Sequence, residues 1–200
     1  MNCSKPMIFN TKMVRAILEG RKTVTRRVVK FKAGQSPVWS GYIPDGAVLY
    51  GSNNIPAAKA PYRPGDILWV RETWNCLPIP EPLRGTSKTY WYKAEGAEPR
   101  DKWRSPYHMP LEAARIFLRV TGVRVERLRD MVLGDVLMEG ITEADTYEST
   151  WDRWHQTWNS TIKPKDLGSY GWEANPWVWV ISFERIEKPA DWGTQGGKNG

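Results

Sequence analysis

Cysteine and histidine are scarce in this chain, with two of each among 200 residues. Cys3 and Cys76 match no metal-ligand spacing and make no disulfide framework, and with His108 and His155 scattered the chain offers no zinc site. So few thiols suit a reducing compartment. No run of about 18 apolar residues is present, which excludes a membrane-spanning helix, and the N-terminus lacks the apolar segment of a secretory signal. Internal repeats are missing too. The expectation is a soluble cytoplasmic protein with no metal, no cofactor and no membrane partner.

Acidic residues are outnumbered, 22 Asp and Glu against 29 Lys and Arg, and the resulting +7 attracts phosphates without proving them the ligand. Twelve tryptophans are many for this length. Large aromatics fill a core or serve as flat platforms for bases. Several arginines sit beside them, Arg71 near Trp69 and Trp74 and Arg104 next to Trp103, a pairing used in base stacking. The length suits one domain, placed at residues 6–187, and the Gly-rich tail 188–200 reads as disordered.

The run Gly20-Arg21-Lys22-Thr23-Val24-Thr25-Arg26-Arg27 concentrates four cations and two hydroxyls in eight residues. Upstream, Pro6 to Asn10 reads as a short strand, and Met13, Val14, Ile17 and Leu18 recur at helical spacing, with Thr11 as N-cap and Gly20 as the stop. Downstream, Thr23 to Val29 reads as a strand with one buried face and Thr23, Thr25 and Arg27 on the other. A lysine among arginines feels like charges that lower its proton affinity, and burial lowers it further. Such a lysine can act as a base toward a nearby hydroxyl, while the same run can equally be a phosphate-binding or solvated basic face.

Ala33 to Pro61 is rich in Gly, Pro, Ser and Asn and reads as a long insertion with one short strand at Ala47 to Gly51; Pro78 to Ser87 reads as a second loop. The turn Tyr62 to Asp66 launches a strand Ile67 to Trp74, and Thr89 to Ala94 is another. Leu111 to Ala114 forms a helical turn, and the clearest strand is Arg115 to Arg127, interrupted at Gly122 by a bulge. Leu133 to Glu139 is a short helix stopped by Gly140. Tyr147, Trp151, Trp154 and Trp158 form the apolar stripe of an amphipathic helix, read as core, and Trp177 to Ile186 is the last strand. Many strands, few helices and no strand-helix alternation predict a mixed α/β, mainly β fold closed into a small barrel.

Several of these pieces in order resemble the ASCH domain family: the Gly20 to Arg27 run with its preceding strand and helix, the Pro64-Gly65-Asp66 turn, the Glu139-Gly140-Ile141 helix end, and the final Val180-Ile181-Ser182-Phe183. Turns such as Val70-Arg71-Glu72-Thr73-Trp74, His108-Met109-Pro110 and Asn175-Pro176-Trp177 are most similar to the larger, Trp-rich versions of bacteriophages and prophages. The resemblance implies a PUA-like β-barrel with short flanking helices and long loop insertions, and a nucleoside or RNA partner. Some small family members are amidohydrolases that deacylate N4-acetylcytidine and related N4-acylated cytosines with a lysine, a threonine and a glutamate. By motif position these are Lys22, Thr25 and Glu139 here. The resemblance further implies Arg21, Arg26 and Arg27 as oxyanion or phosphate ligands. Glu72 and His108 are candidate polar groups of the cleft, and Trp74, Trp177 and Tyr107 are candidate stacking platforms. This chain is about twice as long as the small amidohydrolases, so three alternatives stay open: a non-catalytic RNA or modified-base binding module, a ribonuclease, and a phage protein that engages a host factor through its Trp-rich insertions.

Overall fold

The computed structural model describes residues 4–31, 37, 39–43, 46–51, 56–76, 90–96, 102–142, 146–190 and 192. Their elements are β1 (Ser4–Ile8), α1 (Thr11–Leu18), β2 (Val24–Val28), β3 (Trp39–Ile43), β4 (Gly46–Tyr50), β5 (Pro56–Lys59), β6 (Ile67–Arg71), β7 (Trp74–Cys76), β8 (Tyr90–Tyr92), β9 (Phe117–Arg127), α2 (Leu133–Met138), α3 (Tyr147–Ser160), α4 (Leu167–Tyr170) and β10 (Trp177–Ile186). The fold is mixed α/β and mainly strands. None of the described helices is long and apolar enough to cross a membrane.

β10 organises the molecule. Its residues alternate between two cores: Trp179, Ile181 and Phe183 join Phe9, Val14, Ile17, Leu118 and Leu68, while Val178 and Val180 join Val24, Val136, Trp154, Trp158 and Trp172. A strand buried on both faces must be apolar at both parities, which is why this segment lacks a polar alternation. It lies between β9 and β2, antiparallel to both, in a five-stranded sheet of order β1-β6-β9-β10-β2 whose β1–β6 pair is parallel. α1 packs on one face of this sheet, and α2 and α3 cover the other.

The expected closed barrel is not formed by these ladders: the sheet is open, with β1 and β2 as its edges. Its edges nevertheless come within side-chain reach, because Arg27 on β2 donates from Nη2 to the Ile8 carbonyl on β1 at 3.2 Å. The insertion from Ala33 to Pro61, expected to hold one strand at Ala47 to Gly51, has that strand as β4 and two more beside it, in a three-stranded antiparallel sheet of β3, β4 and β5. Strands of four or five residues separated by Gly and Pro leave too little periodicity to read. Leu49 of β4 is buried in the main core, so long-range packing, absent from any local pattern, holds this sheet.

Other expectations shift by one to three residues. Asn10 rather than Thr11 caps α1, its Oδ1 accepting from the Met13 N–H at 2.9 Å. The strand expected to run to Trp74 ends at Arg71, and Trp74 begins a separate hairpin of β7 with β8. The bulge at Gly122 is present, since Ser182 faces Gly122 while Phe183 faces Val120 and Thr121 is the extra residue. The loop read at Pro78 to Ser87 lies outside the described residues, as does most of the tail; Trp192 packs on Phe117 with ring centroids 4.5 Å apart.

Candidate functional site

Lys22 lies between the end of α1 and the start of β2 and is clamped by backbone from both sides. Its N–H donates to the Ala16 carbonyl at 3.0 Å, and the next N–H, of Thr23, donates to the Met138 carbonyl at the end of α2 at 2.9 Å. This brings the terminus of α2, and with it Glu139, against Lys22. Gly140 permits the approach: its φ is +85°, and a Cβ there would stand 2.7 Å from Ala16 Cβ and 2.9 Å from Lys22 Cβ.

The lysine ammonium spends its three protons on the protein. Nζ donates to Glu139 Oε2 at 2.5 Å and to the carbonyls of Val24 and Glu139, both at 2.9 Å. Lys22 is 2 % exposed, Thr25 1 %, Arg26 3 % and Glu139 3 %. Burial lowers the Lys22 pKa from its ordinary 10.5, and the Glu139 carboxylate offsets only part of that effect.

Of the polar face expected on this segment, Thr23 is exposed, Arg27 is half-buried and Thr25 is buried. Thr25 pairs with Ile181 of β10 and Arg26 with Val180, so their side chains leave opposite faces of the sheet. Because β2 is an edge strand, both parities still reach one rim. On one side, Arg27 stacks on Phe9 at 5.2 Å and donates from Nη1 to Thr25 Oγ1 at 2.6 Å. On the other, Arg26 donates to Glu126 Oε1 at 2.8 Å and to Glu139 Oε1 at 3.2 Å, and lies 3.2 Å from Asp135. Burial alone would lower Arg26, but these three carboxylates raise it above its ordinary value.

A cavity of about 600 Å³ opens along this edge. Thr25, Arg26, Arg27 and Glu139 line its floor, and Trp154, Trp158 and Thr161 form the opposite wall. Lys22 lies behind the lining. Thr25 is held by Arg27, not by Lys22, so the structure brings Lys22 and Glu139 into contact and leaves the Thr25 hydroxyl, three residues on in β2, with Arg27. Glu139 also lines a second cavity of about 880 Å³, where Arg21 is found, paired with Glu19 and donating to the Gly140 carbonyl at 2.7 Å.

The remaining candidates stand elsewhere. Glu72 is 1 % exposed and is bound through both oxygens by Arg115, at 2.9 and 3.0 Å, rather than by Arg71; burial raises its pKa despite that partner. Trp74 stacks under Arg104 at 5.1 Å in the β7–β8 hairpin. His108 is exposed and meets Tyr107 edge-on at 5.2 Å, and Trp177 carries Arg127 at 4.6 Å. None of these four lines either cavity. Sequence reasoning assigned Trp154 and Trp158 to the core, which they join, but missed that the same helix walls the cavity; the amphipathic stripe of α3 was the available signal. Among the described residues, no group of three His, Cys, Asp or Glu is placed to share a metal ion.

This chain matches no protein-family model and no curated protein. One solved structure is similar. It is a crystal structure of an Enterococcus faecalis protein described with the DUF984 family model, aligned with a TM-score of 0.44 and 11 % identity over 95 % of this chain and 84 % of that one.

Proposed function

We propose that this chain is a cytoplasmic PUA-like protein of the large, Trp-rich phage type of ASCH domain, and that its α3-walled cavity binds a nucleobase, nucleoside or RNA segment and hydrolyses an N4-acyl amide on cytosine. The observation that carries the reading is a buried lysine with lowered proton affinity, paired with Glu139 directly beneath a cavity whose floor presents Thr25.

Neutral Lys22 takes the Thr25 Oγ1 proton as Nζ exchanges the Val24 carbonyl for the hydroxyl. Oγ1 forms a bond to the amide carbon, and the carbonyl electron pair moves onto oxygen, within reach of the Arg27 guanidinium. Collapse breaks the bond from carbon to N4, which takes the proton back from the Lys22 ammonium and leaves as the cytosine amine. A water deprotonated by Lys22 then adds to the acyl-threonine ester; the bond from carbon to Oγ1 breaks, Oγ1 takes the proton from the Lys22 ammonium, and the carboxylic acid leaves. Glu139 holds the ammonium throughout.

A second reading is favoured by the three hydrogen bonds that Lys22 makes to protein: the pair pins β2 to α2, and the cavity binds without turnover. Incubation with N4-acetylcytidine and with RNA, beside Lys22→Met and Thr25→Ala, separates the readings. Release of cytidine that disappears in both variants supports hydrolysis. Ligand binding with no product supports the second reading, RNA fragmentation lost in both variants points to a ribonuclease, and deacylation that survives both substitutions removes the assignment of Lys22 and Thr25.

A further inference from the structure

Lys22 and Glu139 are the inner end of a longer row of charges. Arg124 on β9 donates from Nε to Glu126 Oε2 at 3.0 Å and from Nη2 to Asp135 Oδ1 at 3.1 Å. Those two carboxylates also hold Arg26, which donates from Nε and Nη2 to Glu126 Oε1 at 3.0 and 2.8 Å and has Nη2 3.2 Å from Asp135 Oδ1. Its Nη1 donates to Glu139 Oε1 at 3.2 Å, and Glu139 Oε2 accepts from Lys22. Signs alternate along the row, and the side chains pass from 41 % exposed at Arg124 to 0 % at Arg26 and Lys22.

Each guanidinium nitrogen of Arg26 therefore faces a carboxylate of the protein, although the residue lines the first cavity. That is not the arrangement of an arginine held ready for a substrate anion. The charge count points to a different task. The groups that act on Lys22, directly or through a partner, are Arg26, Arg27 and Arg124 against Glu126, Asp135 and Glu139. These balance when Lys22 is neutral and carry one excess positive charge when it is protonated. Without Arg26, balance would need the lysine proton instead. A buried carboxylate left with no cation is strongly disfavoured, and Glu139 would be in that condition each time Lys22 lost its proton.

We propose that Arg26 is a positioning residue of the candidate site: it fixes the orientation of Glu139 against Lys22 and remains as the charged partner of that carboxylate when Lys22 gives up its proton. This rests on the reading of Lys22 as the base that serves Thr25, and it moves Arg26 from the substrate to the support of the base. Burial is the largest influence lowering the proton affinity of Lys22, Glu139 opposes it, and Arg27 and Arg26 add to it. Glu126 and Asp135 temper Arg26 in turn, because each offsets part of its charge.

The test is an NMR titration of the Lys22 side chain in protein carrying 13C-labelled lysine, with the signal assigned by its loss in Lys22→Met. Arg26→Gln removes a cation and leaves Glu139 to Lys22 alone, so the Lys22 titration is expected to move to higher pH. Glu126→Gln leaves the Arg26 charge less offset, so the titration is expected to move to lower pH. A merely structural role predicts the same direction for both, since loosening the cluster admits water and returns Lys22 upward toward its ordinary value. An upward or unmoved titration in Glu126→Gln overturns the proposal, as does an unmoved one in folded Arg26→Gln. Should Arg26→Gln fail to fold, Glu126→Gln decides alone, its carboxylate being partly exposed. The pH limb of kcat on N4-acetylcytidine is expected to follow both shifts with KM unchanged, and a limb that ignores them also overturns the proposal. Opposite shifts in a protein that releases no cytidine uphold the action of Arg26 on the pair while the hydrolytic reading fails.

Discussion

Lys22 Nζ stands 2.5 Å from Glu139 Oε2 with both side chains shut from solvent, joining the turn before β2 to the residue that caps α2 across 117 positions of sequence. Glu139 Oε1 turns the other way, to Arg26. One carboxylate thus compensates two buried cations, Lys22 behind the cavity floor and Arg26 on it.

Removing that carboxylate leaves Arg26 with Glu126 and Asp135 but strands Lys22. Glu139→Gln is expected to destabilise the fold by about 3 kcal/mol, as breaking a buried pair does, and Lys22→Met combined with it to recover part of the loss. Urea unfolding of the two single variants and the double variant checks this. Strict additivity of the two effects would mean that the pair is not coupled.

Gly140 is required twice, by its positive φ and by the space its missing Cβ leaves for Ala16 and Lys22. Gly140→Ala is expected to cost about 2 kcal/mol through backbone strain and overpacking. Gly134, with nothing near its absent Cβ, is the control. Should Gly140→Ala and Gly134→Ala show the same unfolding midpoint, the close approach described at α2 would be wrong.

Arg27 holds the Thr25 hydroxyl at 2.6 Å and is the cation nearest to an oxyanion formed there. Arg27→Gln is expected to lower kcat on N4-acetylcytidine by about 100-fold, the effect of losing one oxyanion donor, with KM little changed. A rise in KM at constant kcat would instead make Arg27 a ligand-binding group.

Deacylation needs Lys22 neutral. Burial holds its pKa below 10.5, so the rate is expected to rise with pH and to level off below that value. Glu139 opposes the burial effect, so residual activity of Glu139→Gln should show the same limb moved to lower pH. A limb that moves upward, or does not move, would show that another group titrates.

Asp135 works in the opposite sense. Burial raises it, yet the Val132 N–H and the Arg26 guanidinium outweigh that and hold it below 3.8 when folded. Its contribution to stability is therefore complete above the unfolded value and is lost as pH falls through the lower folded one. Asp135→Asn is expected to be less stable at neutral pH and to lose less on acidification below pH 3.8, as read from melting temperature against pH. Parallel curves for the two proteins would exclude this linkage.

Local pattern carried a good part of the architecture. The helical spacing of Val14 and Ile17, the stop at Gly140, the stripe of Trp154 and Trp158, the bulge at Gly122 and the limits of β10 all follow from periodicity and backbone preference, which act over a few residues. Residue identity also marked Lys22 and Thr25 as candidates, and the family resemblance joined Glu139 to them, before any contact was visible. What no window of sequence contains is that β2 lies at a sheet edge, that Thr25 turns to Arg27 while Lys22 turns to Glu139, and that α3 closes over them to make a cavity. Lys22 and Glu139 are 117 positions apart, and only the packing of the whole sheet between its two cores decides which of these neighbours each side chain meets.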